Sequence, residues 1–227
     1  ALMLLGGGNP AVVRNPSRVL SEPKSWARRI GEVNRGQSVS LLEAVGSWYR
    51  VRLANQQVGY VPRTAFEKAY RAYIASVVGR YRGVVRGWDV VNEAVAEEGD
   101  GYRGGLWQRV LGPDYMRIAF EAAHEADPSA VLFINDYNLE TKPRKLETFQ
   151  RLVDDLLEAG APLGGLGTQT HLFAGMPPDQ AGGAIRALTH FGLPIHISEL
   201  DVALHRKGQP TPSEGLESQA RVAGAVA

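Results

Sequence analysis

The chain has 227 residues, 44% of them apolar and 22% charged, the proportions of an ordinary globular protein with one large domain or two modest ones. Lys+Arg total 25 against Asp+Glu 24, so a net charge of +1 gives no electrostatic case for binding nucleic acid or an acidic membrane. Cysteine is absent, which excludes disulfides, thiolate metal sites and a cysteine nucleophile, and no run approaches the roughly 18 apolar residues of a membrane helix.

Ala1-Leu2-Met3-Leu4-Leu5 opens the chain and is followed by three glycines. It has no basic head and no clear cleavage site, so a disordered or edge-packed terminus is expected rather than the stump of an export signal. Short strands then alternate with turns as far as about residue 66. Val51 and Leu53 alternate with Arg50, Arg52 and Ala54, as in a half-buried antiparallel strand; residues 39–43 and 59–61 read similarly. Gly31, Gly36, Gly46 and Gly59 punctuate these runs at hairpin-like intervals, which predicts a small β-barrel. The elements Gly31-Glu32-Val33-Asn34-Arg35-Gly36-Gln37-Ser38-Val39, Ser47-Trp48-Tyr49-Arg50-Val51-Arg52-Leu53 and Val58-Gly59-Tyr60-Val61-Pro62 resemble the bacterial Src-homology-3-like domain. Ser47 departs from the glycine usual in that family. The resemblance implies a barrel that anchors exported enzymes to cell-wall peptidoglycan. Trp48, Tyr49 and Tyr60 would fill its core, with Trp48 equally placed for ligand contact.

Beyond residue 66 the pattern becomes helix, strand, helix, strand, with no linker between the zones. Tyr70, Tyr73, Ile74, Val77, Val78 and Tyr81 recur at helical spacing, and residues 88–92 form the strand that follows. Pro113-Asp114 opens a helix carrying Tyr115, Ile118, Ala119 and Ala122, and Asp127-Pro128 closes it. Residues 130–134 are a strand. Pro143 opens a helix with Leu146, Phe149, Leu152, Val153, Leu156 and Leu157, stopped at Gly160. Residues 166–172 read as one strand. Ile185, Leu188 and Phe191 mark a further helix ending at Gly192, and Pro194 leads into a strand that ends at Glu199. Helices alternating with buried strands predict a parallel sheet covered by helices. After Gln209, the segment with Pro210 and Pro212 reads as a loop before another helix.

Polar residues gather where these strands end: Asn92 and Glu93; Asn135, Asp136, Tyr137 and Asn138; Gln169 and His171; Glu199 and Asp201. Asn135, Asp136 and Asn138 read as turn chemistry. Asp201 is expected to structure its loop or pair with a basic neighbour. His124, His190, His196 and His205 read as surface or structural, and their spacing suggests no metal site. Glu93 and Glu199 differ from these. A carboxylate leaving a buried parallel strand stands where an α/β barrel carries its chemistry, and two from different strands could flank one glycosidic bond.

Trp88-Asp89-Val90-Val91-Asn92-Glu93-Ala94, Phe133-Ile134-Asn135-Asp136-Tyr137-Asn138, Gly165-Leu166-Gly167-Thr168-Gln169-Thr170-His171-Leu172 and Ile197-Ser198-Glu199-Leu200-Asp201 resemble four successive motifs of glycoside hydrolase family 10. This is a family of retaining endo-β-1,4-xylanases on a (β/α)8 TIM barrel. The resemblance implies Glu93 as catalytic acid/base and Glu199 as nucleophile. Asn92, Gln169, His171 and Tyr137 would bind substrate, with Asn92 on a sugar 2-hydroxyl and His171 orienting Glu199 or touching the sugar. No cofactor is implied. Xylan is the implied partner, with peptidoglycan for the N-terminal module and a secreted or periplasmic location.

The expected organisation is α/β, with residues 1–66 as the Src-homology-3-like β-barrel and residues 67–227 as an incomplete (β/α)8 domain of about strands four to seven. A complete barrel needs at least about 200 residues and typically about 250. Four strands would leave two open edges and an exposed apolar inner face, inviting self-association and poor solubility. A fragment or misjoined gene is the expected origin, ahead of an engineered chain or a half-barrel completed by a partner. Rival readings are a catalytically inert wall- or glycan-binding protein, and a cellobiosidase-type hydrolase on the same scaffold.

Overall fold

The computed structural model describes residues 10–12, 16–34, 37–204 and 215–226. The expectations made for residues 1–5, for His205 and for the loop around Pro210 and Pro212 fall outside this set, as do Arg35 and Gly36.

The first zone is a six-stranded antiparallel sheet. Its strands are β1 (Pro10–Val12), β2 (Ser17–Leu20), β3 (Arg29–Val33), β4 (Ser38–Val45), β5 (Trp48–Arg52) and β6 (Val58–Pro62), in the order β1-β4-β5-β6-β2-β3. Alternation dictates its inner face: Val39 and Leu41, Tyr49 and Val51, and Val61 are buried while their neighbours on each strand are not. Gly59 admits a close crossing, since a Cβ there would stand 2.4 Å from Val19 and 2.9 Å from the Leu20 carbonyl. The sequence reading missed β2 and β3, whose residues alternate poorly.

Helix α1 (Arg63–Arg80) follows β6 directly, three residues before the expected change of pattern. The two zones share one hydrophobic core that runs from Val19, Tyr49 and Val51 through Phe66 and Tyr70 to Phe120, Leu132 and Phe149. Tyr49 makes the joint. Its ring meets Phe66 edge-on with centroids 5.2 Å apart, and its hydroxyl donates to the backbone carbonyls of Arg109 and Val110 in helix α2 (Leu106–Leu111). Burial, opposed by the Arg63 charge, raises the pKa of that hydroxyl. Helix α2 was not foreseen.

The second zone is built on four parallel strands: β7 (Gly87–Asn92), β8 (Val131–Asp136), β9 (Gly165–Thr168) and β11 (Ile195–Ile197), in the order β11-β9-β8-β7. Helices α3 (Tyr115–Ala126), α4 (Pro143–Glu158) and α5 (Pro178–Leu188) connect them, and α6 (Leu216–Gly224) follows. Helix α4 starts on the expected Pro143 and buries Phe149, Leu152, Val153 and Leu156 on one face; Gly160, at φ 71°, turns the chain away. Helices α1 and α3 are laced by Arg71, which pairs with Glu121 at 2.5 Å and Glu67 at 3.0 Å.

The segment expected as one strand over residues 166–172 is two. Strand β9 stops at Thr168, Thr170 takes a left-handed φ of 59°, and β10 (His171–Phe173) resumes beyond it. The strand expected to reach Glu199 likewise stops at Ile197, and β12 (Asp201–Ala203) pairs in parallel with β10, placing His171 opposite Asp201. The break arises because the Thr168 and Thr170 hydroxyls both donate to the buried Glu140 carboxylate, at 2.6 and 3.0 Å, which draws the backbone out of the ladder.

Candidate active site

All four parallel strands end on the same side of the sheet, and the polar side chains collect there. Asn92 ends β7, and Glu93 donates its backbone N–H to the Asn135 carbonyl at 2.8 Å. Its φ of 56° is left-handed, a sparsely populated conformation for a residue with a Cβ, of the kind that concentrates at functional sites. Gln169 Nε2 donates to Glu93 Oε1 at 3.0 Å and lies 3.5 Å from Asn92 Oδ1. Arg103 Nη1 donates to Glu93 Oε2, and Arg103 Nη2 to the Tyr137 hydroxyl at 2.5 Å. The Gln169 hydrogen bond, together with Arg103 and against the cost of burial, holds the Glu93 carboxyl below the usual carboxylate range.

Asn135 and Asp136 correct the turn reading given to them. Both lie in β8 and are buried, at 1% and 0% exposure. Asn135 Nδ2 donates to Asn92 Oδ1 at 3.0 Å, and its Oδ1 accepts from the Ser198 hydroxyl at 3.1 Å. Asp136 accepts from the backbone N–H groups of Val95 at 3.0 Å and Tyr137 at 2.9 Å, and forms a 2.8 Å ion pair with the fully buried Lys145. Lys145 Nζ also lies 3.4 Å from the centre of the Tyr137 ring. Such polar groups survive burial because each is paired. Asn138 does occupy a turn, at φ 58°, where its side chain donates to Glu97 at 3.2 Å.

On the other side of the site, Glu199 follows β11 with its side chain 49% exposed, and His171 Nε2 stands 3.5 Å from its Oε2. His171 Nδ1 bonds Asp201 Oδ2 at 2.6 Å, so Asp201 has the basic neighbour expected of it. The cross-strand register of β10 with β12 produces that contact. The structure therefore places all six sequence-derived residues at one sheet end, in two groups. Glu93, Asn92, Gln169 and Tyr137 interlock, while Glu199 sits with His171. Asn135 and Ser198 join the groups through hydrogen bonds.

Arg103, Glu97, Lys145, Glu140 and Ser198 were missed. Arg103 lies in a loop rich in Gly99, Gly101, Gly104 and Gly105 that carries no periodic signal, and the others matter through cross-chain pairing alone. Toward the starts of β7, β8 and β11, a concavity of 410 Å³ is lined by Gly87, Asp89, Val131, Phe133, Ile195 and His196. His196, expected to be structural, is exposed there, its ring 5.4 Å from that of Phe133. Desolvation raises the Asp89 carboxyl, opposed by His196 and reinforced by Glu199.

The glycosyl hydrolase family 10 model matches residues 26–226. An endo-1,4-beta-xylanase of Geobacillus stearothermophilus is 38% identical over 194 residues, covering 82% of this chain and 58% of that protein. Among solved structures, xylanase XynB of Paenibacillus barcinonensis superposes with a TM-score of 0.67 at 35% identity, over 76% of this chain and 55% of that one. TsXylA, an intracellular xylanase of Thermoanaerobacterium saccharolyticum, gives 0.64 at 35% identity, over 72% and 51%. Two glutamate-to-alanine variants of TsXylA, altered at positions about as far apart in sequence as Glu93 and Glu199, are in complex with xylotriose and xylotetraose. The fold is thus of (β/α)8-barrel type, and the chain spans little more than half the length of these relatives. With the family model covering most of its residues, the chain belongs to glycosyl hydrolase family 10.

Proposed function

We propose that this chain carries the catalytic pair of a retaining endo-1,4-β-xylanase acting on xylan. The observation that carries the reading is that Glu93 and Glu199 leave two strands of one sheet at the same end, tied by a polar layer of Gln169, Asn92, Asn135 and Ser198. In this reading Glu199 attacks the anomeric carbon while Glu93 protonates the departing oxygen. Glu93 then takes a proton from the water that releases the sugar from Glu199. Retention asks for the two carboxyl groups roughly 5–5.5 Å apart in the working enzyme. His171, braced by Asp201, holds Glu199; Asn92, its Oδ1 occupied by Asn135, turns its amide nitrogen to the sugar 2-hydroxyl; Tyr137 lines the sugar site beside Arg103. The mechanism needs no metal or cofactor.

The test is release of reducing ends from xylan by the purified chain, with Glu199→Ala as control and NMR of the first-formed anomer. Activity lost in the variant, with the β-anomer formed first, supports the reading; no release by the parent chain overturns it for this polypeptide. Aryl β-xylobioside against aryl β-cellobioside sets the sugar preference.

We propose further that the antiparallel sheet ending at Pro62 is a Src-homology-3-like module that binds peptidoglycan, which would make the enzyme an exported one, with the hydrolase domain running from helix α1 onward. The six-stranded antiparallel sheet supports this, and co-sedimentation of the whole chain with peptidoglycan tests it. Strands β7 and β11 end the parallel sheet on both sides, so self-association through these edges is proposed as well, with sedimentation velocity as its measure.

A further inference from the structure

The loop after Glu93 is a hairpin that returns to its own starting point. Val95 bridges Tyr102, Ala96 N–H donates to the Gly101 carbonyl at 2.8 Å, and Arg103 N–H donates to the Ala94 carbonyl at 2.7 Å. These backbone contacts deliver Arg103 to the Glu93 carboxylate. Its guanidinium is then held from the other side. It lies 5.3 Å from the centre of the Tyr137 ring and donates to the Tyr137 hydroxyl, which in turn donates to Glu97, and Glu97 is paired with Lys142 at 2.8 Å. Arg103 remains 42% exposed, so its side chain borders solvent as well as Glu93 and Tyr137.

We infer that Arg103 is a positioning residue: the hairpin returns it to Glu93 to hold the ionised carboxylate in place, and it must release Oε2 before that oxygen can carry a proton. This rests on the xylanase reading above. In the first half-reaction the Glu93 proton goes to the glycosidic oxygen, the C1–O bond breaks with its electrons on that oxygen, and C1 bonds to Glu199. In the second, the Glu93 carboxylate takes a proton from water as the water oxygen bonds to C1 and the C1–Glu199 bond returns its electrons to the carboxylate. Arg103 favours the carboxylate of the second step and opposes the acid of the first. The charged and titratable groups acting on Glu93 are Arg103 from its own loop and Lys145 from α4, with the Tyr137 hydroxyl beyond β8; Gln169 is neutral. Lys145 is already paired with Asp136, which leaves Arg103 as the movable one.

The experiment is a titration of the Glu93 side-chain carbon by NMR in the full chain labelled with ¹³C-glutamate, its signal assigned by its absence in Glu93→Gln. Parent, Arg103→Gln and Arg103→Lys are compared. The expected result is a midpoint raised by about one pH unit or more in Arg103→Gln, the low end for removing an adjacent guanidinium, with Arg103→Lys in between. In chains that turn over xylan, the alkaline limb of kcat/KM moves up with it, since that limb reports the acid form of the free enzyme. A midpoint unchanged in Arg103→Gln overturns the inference. The titration reads with or without turnover, so an inactive parent chain sinks the xylanase reading and leaves this result to decide the role of Arg103 in holding Glu93.

Discussion

Glu93 and Glu199 both follow strands at the edges of one sheet, yet their surroundings differ. Glu93 is 31% exposed and gripped on both oxygens, whereas Glu199 is 49% exposed and has His171 at 3.5 Å. The difference comes from loop length. The chain after Glu93 makes a hairpin long enough to fold back over the carboxylate and bring a cation. Between β11 and β12 there are three residues, so Glu199 draws its neighbour from β10 across the ladder. In the proposed mechanism the two carboxylates have opposite tasks and need unequal environments; here the connections make them unequal, with Arg103 and Gln169 favouring the ionised Glu93.

The largest test of this comparison is Lys145→Met. It strands the buried Asp136 carboxylate, which also holds Val95 N–H just after Glu93. Denaturant unfolding is expected to show a loss of about 3–5 kcal/mol, and a loss below 1 kcal/mol would mean the ion pair is not what orders the Glu93 side. Next is Gly167→Ala. Its Cβ would stand 2.5 Å from Asn135 Oδ1, so Asn135 must move and release both Asn92 and Ser198. About 1–3 kcal/mol is expected, with disturbance on both sides of the site at once.

Asp201→Ala sharpens the contrast by touching one side. The Asp201 side chain is 60% exposed, so stability should change by less than about 1 kcal/mol. The ¹⁵N resonances of His171 should shift while the Glu93 titration stays put; movement of both would show that the two groups are coupled. The smallest effect is expected from Glu97→Gln. Lys142, and then Tyr137, hold the Glu97 carboxyl at about 2, below its ordinary 4.5. A depressed folded-state pKa stabilises above 4.5, and that contribution fades as pH falls from 4.5 through about 2. In Glu97→Gln the acid unfolding profile should flatten in that window and match the parent's slope above it.

Much of the second zone was legible because its signals are local. Pro143 and Gly160 mark both ends of α4, Gly192 stops the turn after α5, and the β-branched runs mark β7 and β8. The broken ladder at Thr170 was not legible, because its cause is a carboxylate 30 residues earlier in the chain. Nor were the burial of Asn135 and Asp136, whose residue types favour turns until partners from other strands and from α4 satisfy them.

By itself, then, the sequence determined the alternation of helices and strands, and the positions of Glu93 and Glu199 at strand exits. Both are consequences of short-range periodicity and of where an apolar run ends. What the tertiary structure decided was pairing at a distance. It sealed the two zones into one core through Tyr49, set His171 against Asp201 by strand register, and closed a hairpin that lays Arg103 on Glu93. Those contacts depend on loop closure and on packing between elements far apart in the chain, which no local pattern of residues encodes.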